Sequence, residues 1–152
     1  MKEEKIKETV KLQFEVLHLY HKNFSKLFHQ TGNSPYNLNK NQNKAILIIG
    51  GVGEIMLTIL GKCLDLQKGS LTTMIDALER EGLVLRKGDP GDRRKVLISL
   101  TEEGATYRNW LIGELEKNAS EVLSRLTEGD IVDYQESLKM MLGTLRKLDG
   151  SA

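Results

Sequence analysis

Residues 56–101, MLTILGKCLDLQKGSLTTMIDALEREGLVLRKGDPGDRRKVLISLT, hold a helix, a turn, a second helix and a basic hairpin in one short span. Leu71, Met74, Ile75 and Leu78 fall at i, i+3, i+4 and i+7, the spacing of an amphipathic helix with one apolar stripe. Lys68, Gly69, Thr72, Thr73, Asp76 and Arg80 occupy its other face. A shorter helix over 58–64 precedes it, and Asp65, Leu66 and Gln67 leave room only for a turn, so the pair forms a helix-turn-helix. Gly82 stops the second helix. Beyond it comes a short apolar strand, a turn, and a strand in which Val96, Ile98 and Leu100 alternate with Lys95, Leu97 and Ser99. Pro90 and Gly91 suit positions i+1 and i+2 of a type II turn, which needs a positive φ at the glycine. The stretch therefore predicts a β-hairpin with arginines at its tip.

Outward from this span the chain is helical. Ile6, Val10, Phe14, Leu17, His21, Phe24 and Phe28 recur at three- and four-residue steps, and Leu12, Val16, Leu19 and Leu27 add a second stripe, predicting a long helix over 2–28. Thr31, Gly32, Asn33, Ser34 and Pro35 break it. Asn39 caps a helix over 40–49, whose Ala45 to Ile49 run predicts burial, and Gly50, Gly51 and Gly53 read as a flexible connection. After the hairpin, Thr101 caps a helix with Glu102 and Glu103 in its first turn and Leu111, Leu115, Val122 and Leu126 on its face. Thr127 and Asp130 form a capping box with Asp in place of Glu, opening a last helix through Leu148. Terminal helices with more apolar surface than one small domain covers predict a dimer interface.

With 152 residues and 39% hydrophobic content, one domain with a real core is expected. Net charge is only +1, so whole-chain charge carries no argument for a polyanion. Its distribution does: residues 86–95 contain Arg86, Lys87, Arg93, Arg94 and Lys95 against Asp89 and Asp92, a basic excess placed to meet phosphates. A single cysteine, Cys63, excludes an intramolecular disulfide and a Cys-rich zinc site. The charged start MKEEKIKE argues against a secretory signal, and the longest apolar runs are too short for a bilayer. No membrane association and a cytoplasmic location are expected.

The order of elements, together with DPGDRRKVLISLT, resembles the MarR family of bacterial winged helix-turn-helix regulators. The wing pattern is Asp, any residue, Arg, then Leu-Thr after five residues, here Asp92, Arg94, Leu100 and Thr101. MIDALEREGLV and Tyr36-Asn37-Leu38-Asn39 with Gln42 match weaker family signatures. The resemblance implies a mainly α fold with a small β-hairpin wing (α+β), a winged helix-turn-helix over 35–101, and a helical dimerisation region over 1–34 and 102–152. It also implies a homodimer that binds double-stranded DNA as a transcriptional repressor of a pseudo-palindromic operator, and no enzyme. Lys68, Gly69, Ser70, Thr72 and Thr73 would meet the major groove, and Arg93, Arg94 and Lys95 the backbone and minor groove, with Arg94 as the groove residue. Asp92 would accept from a neighbouring guanidinium and stiffen the tip, leaving the other arginine free. Relatives often carry Arg or Asn at the position of Thr73 and a side chain at that of Gly69, so a departure toward reading by wing and DNA shape is expected. The competing readings are a winged-helix protein-interaction module without DNA binding and a redox-responsive regulator using Cys63.

The resemblance further implies a small aromatic effector, with His21, Tyr20, Tyr36, Arg108 and Trp110 as candidate liners. Each is equally an ordinary core or interface residue. His18 and His21 sit at i, i+3, but no carboxylate or thiol cluster completes a metal site, so neither metal nor cofactor is expected. Cys63 is read as facing the core of the helix-turn-helix, a structural thiol.

Overall fold

A computed structural model describes residues 1–29 and 33–150. Among these are α1 (Lys2–Phe24), α2 (Lys40–Val52), β1 (Glu54–Met56), α3 (Leu57–Leu64), α4 (Lys68–Arg80), β2 (Val84–Asp89), β3 (Asp92–Leu100), α5 (Glu102–Leu123) and α6 (Glu128–Leu148). The chain divides into two compact units. One spans Phe28–Glu116 and the other joins Met1–Leu27 to the described residues from Lys117 onward. Residues 102–116 thus group with the winged elements, because Gly104, Tyr107 and Leu111 of α5 are buried there.

The winged unit is built on the stripe read from the sequence. Leu71, Met74, Ile75 and Leu78 are all buried, in a cluster with Ala45, Ile46, Ile49, Leu60, Leu83, Ile98, Tyr107 and Leu111. Asp65, at φ 51°, turns the chain between α3 and α4. The two helices approach closely at Gly61, where a Cβ would lie 2.8 Å from Leu71 Cδ2. Asn39 and Gln42 form a full capping box on α2, each side chain accepting from the other's backbone N–H. Thr101 does more than cap α5. Its hydroxyl accepts from the Gly104 N–H (2.9 Å) and donates to the Gly82 carbonyl (2.6 Å), while its N–H donates to the Leu83 carbonyl (3.1 Å).

Several boundaries differ from the sequence reading, each for a physical reason. Helix α1 ends at Phe24, and 25–28 form a turn in which the Leu27 N–H donates to the Phe24 carbonyl. Of the expected break, Thr31 and Gly32 lie outside the described residues. Gly50 and Gly51 are not a connection but helix: α2 continues to Val52 and ends at Gly53, whose φ of 86° suits glycine. A Cβ at position 50 would displace the Arg108 side chain, whose Cδ lies 2.1 Å from where it would stand. The next three residues form a strand that no local pattern predicts. β1 pairs antiparallel with β3, Ile55 opposite Ile98, giving a three-stranded sheet in the order β1-β3-β2.

In the other unit neither α1 nor α6 has a buried residue among those described. Phe24 stacks on Tyr20 and on Tyr134 (ring centroids 5.1 and 6.5 Å), and Asn118 Nδ2 donates to the Leu27 carbonyl (2.8 Å). Burial raises the Tyr134 phenol above the ordinary tyrosine value, and the charge of Tyr20 adds to it. The Thr127–Asp130 capping box forms as read, with the Asp130 carboxylate accepting from both the hydroxyl and the N–H of Thr127. No described helix is long and apolar enough to cross a membrane.

Candidate nucleic-acid interface

The start of α4 supplies one half of the site. Lys68, Gly69, Ser70 and Thr73 are exposed and Thr72 is half-buried. The Thr72 and Thr73 hydroxyls donate to the carbonyls of Lys68 (2.8 Å) and Gly69 (3.0 Å), one helical turn back. No described atom lies within 4 Å of a Cβ built at Gly69, so at that position the helix presents bare backbone between the side chains of Lys68 and Ser70.

The wing supplies the other half. Arg93, Arg94 and Lys95 are all exposed, and the Arg94 side chain is 91% accessible. Asp92 Oδ1 accepts from the Arg94 backbone N–H (3.0 Å) and from Arg94 Nε (3.3 Å). The sequence reading expects Asp92 to hold a different arginine and leave Arg94 free; it holds Arg94 itself. An ion pair this exposed contributes little to stability, but it restricts the directions in which the guanidinium extends. The hairpin turn also differs from the type II expectation. Positive φ among the described glycines occurs at Gly53, Gly82 and Gly150, not at Gly91. The Asp89 carboxylate accepts from the Gly91 N–H instead (2.8 Å), closing the turn through a side chain, beside a register shift at Gly88 and Asp89.

Lys68 from α4 and Arg94 and Lys95 from the wing line one cleft of about 580 Å³, with Leu57, Leu66 and Val96 among its apolar walls. Gly69, Ser70 and Thr73 line a shallower one with Asn39 and Gln42. Two residues that the sequence reading names but does not pair join the halves, and Arg86, counted there among the cations placed to meet phosphates, turns to α4 instead. Arg86 of β2 forms an ion pair with Asp76 of α4, and its Nη2 lies 3.5 Å from the Thr72 carbonyl. Arg86 follows Asp76 by ten positions, and no periodicity signals such a pair.

The candidate effector residues divide between the units. Tyr20 and His21 belong to α1, where their rings meet edge to face at 6.1 Å. Tyr36 and Trp110 both pack on the buried Tyr107, at 5.1 and 5.5 Å, and the Tyr107 hydroxyl donates to Asn43 Oδ1 (2.8 Å). Arg108 lies over Gly50, its Nε buried without a hydrogen-bond partner among the described residues. Among the described residues no group of three or more His, Cys, Asp or Glu gathers that could hold a metal. Cys63 is exposed, which corrects the expectation that it faces the core. Leu60 and Gly61 are the positions of α3 that the core covers, and Cys63 falls outside the stripe they define on this short helix.

The sequence profile of the MarR family matches residues 38–96, from the entry to α2 through the wing. The organic hydroperoxide resistance transcriptional regulator of Bacillus subtilis (strain 168) is 31% identical over 73% of this chain and 74% of its own. The chain belongs to the MarR family. Its MarR fold is shared with the crystal structure of wild-type MarR from E. coli in its apo form (TM-score 0.67, 26% identity, 87% of this chain and 95% of that one). A mutant MarR from E. coli complexed with operator DNA is also similar (TM-score 0.64, 27% identity, 89% and 96%). As a MarR protein the chain is a DNA-binding transcriptional regulator with a winged helix-turn-helix.

Proposed function

We propose that this MarR protein is a homodimeric, cytoplasmic repressor without catalytic activity that binds a pseudo-palindromic operator. Each α4 enters a major groove and each wing reaches the adjacent minor groove through Arg94, with half-sites about one helical turn apart. The observation that carries this reading is the convergence of Lys68, Arg94 and Lys95, from two elements, on one cleft. Lys68, Gly69, Ser70, Thr72 and Thr73 meet the groove edge and Arg93 a phosphate. With a bare Gly69 and two threonines whose hydroxyls bond their own helix, base discrimination leans on the wing and on groove shape. The similarity to a MarR structure complexed with operator DNA supports the same assignment.

Dimerisation proceeds through 1–34 and 102–152, of which residues 102–116 also pack into the winged unit, leaving 35–101 to DNA. Support comes from the exposed apolar side chains Ile6, Val10, Phe14 and Leu17 of α1 and Met141, Leu142, Leu145 and Leu148 of α6, more than a solitary chain leaves in water. A small aromatic effector, received near Tyr36, Arg108 and Trp110 or near Tyr20 and His21, would act by changing the separation of the two winged units of the dimer.

The test is selection of bound DNA from a random pool, then titration of wild type and Arg94→Ala on the selected site at several salt concentrations. Expected are a dimer by sedimentation, a steep inverse salt dependence, and a loss of about 1–3 kcal/mol for Arg94→Ala. A monomer, or affinity indifferent to salt and to Arg94, would sink the proposal. Aromatic acids added to the complex test the effector.

A further inference from the structure

We infer that Asp76 and Arg86 are positioning residues that hold the wing at a set angle to the recognition helix, and so deliver Arg94 to the minor groove. The inference rests on the DNA reading above. Arg86 sits at the root of the wing, on β2 opposite Ile98 of β3, and grips α4 at two points one turn apart, the Asp76 carboxylate and the Thr72 carbonyl. Its Nε is buried and has no hydrogen-bond partner among the described residues, while both hydrogen bonds from its Nη2 go to α4. The pair is half-exposed, with side-chain accessibilities of 30% for Arg86 and 47% for Asp76, and pairs so exposed add little to folding stability. Their geometric effect is larger.

Pro90 lies four residue steps beyond Arg86, about 13 Å of lever. A tilt of about 10° at the root therefore moves the tip by about 2 Å, a third of the width of a minor groove of about 6 Å. Nothing at the tip corrects such a tilt, since Asp92 orients Arg94 only relative to the hairpin itself. Arg86 is thus a polar link, beside the shared core, between the part that reads the major groove and the part that reads the minor one.

Charge alone makes a different forecast. Asp76→Asn removes a negative charge from the recognition helix and would tighten DNA binding, whereas Arg86→Met removes a positive one and would weaken it. Positioning requires both to weaken it, and only through Arg94. The experiment is a pair of double-mutant cycles on the selected operator, joining Asp76→Asn and Arg86→Met in turn to Arg94→Ala. Each is expected to cost about tenfold in affinity alone but less than about twofold in the Arg94→Ala background, with thermal midpoints within about 3 °C of wild type. Asp76→Asn, a change to a half-exposed side chain, keeps the test decisive if Arg86→Met does not fold. Opposite signs for the two variants, or costs that add to that of Arg94→Ala, would overturn the inference and leave the DNA reading intact. An Arg94→Ala variant that binds as wild type would overturn both.

Discussion

The Tyr107 hydroxyl donates a 2.8 Å hydrogen bond to Asn43 Oδ1, joining α5 to α2 through the interior of the winged unit. Both residues are about 1% exposed, so no water replaces either partner. Tyr107→Phe keeps the ring contacts with Tyr36 and Trp110 but leaves the amide oxygen of Asn43 without this donor. A loss of about 1–3 kcal/mol is expected, measured by chemical denaturation with the slope unchanged.

Gly104 and Gly113 lie on the same helix and respond oppositely to alanine. A Cβ at 104 would stand 2.0 Å from the Leu83 carbonyl oxygen, which is fixed backbone, whereas at 113 no atom of the described residues lies within 4 Å. Gly104→Ala is expected to destabilise by about 1–3 kcal/mol through overpacking, and Gly113→Ala to stabilise by about 0.5–1 kcal/mol through helix propensity. Thermal melts of the two variants compare them directly. A neutral Gly104→Ala would mean that α5 does not seat on Leu83 as described.

The cap of α6 ties stability to pH. Asp130 is held below its ordinary value of 3.8, first by the Thr127 hydroxyl and then by the Thr127 backbone N–H. A depressed carboxylate stabilises the fold above its unfolded pKa, and that contribution disappears as pH falls through the lower folded value. Asp130→Asn is therefore expected to flatten the acid limb of a midpoint-against-pH curve and to change little once pH lies below the lowered folded value. The raised Tyr134 phenol has the opposite sign: its contribution is present below the ordinary tyrosine pKa and lost as pH climbs above it. Tyr134→Phe removes that alkaline decline, read by the same melts.

Cys63 is the sole cysteine and is exposed on α3. It is expected to react fully with a thiol-specific chromogenic disulfide in native buffer, at a rate that denaturant does not raise by more than about tenfold. A thiol released only on unfolding would restore the buried assignment.

Much of the interface was legible from local pattern. Leu71, Met74, Ile75 and Leu78 announce α4 because a helix repeats every 3.6 residues whatever it packs against, and all four are buried. The Thr127–Asp130 and Thr101 caps were legible for a similar reason, since a cap involves residues three apart. The exposure of the wing arginines also follows from the turn dipeptide, which places them at a hairpin tip. The turn type did not, because Asp89 closes the turn with its own carboxylate and relieves Gly91 of a positive φ. Nor did the side of α3 on which Cys63 falls, because in eight residues the apolar pattern is too short to orient the helix.

Local pattern in the chain accounts for the periodic elements, their order, their caps and the family. Folding had to settle that Gly50 and Gly51 stay helical beneath Arg108, that three residues from Glu54 become an edge strand on β3, and that Arg86 reaches Asp76 and Thr72. The physical reason is common to all three. A glycine pair, a three-residue strand and a half-exposed ion pair have too little local preference to choose a conformation, and each is selected by a partner that only the folded chain brings within reach.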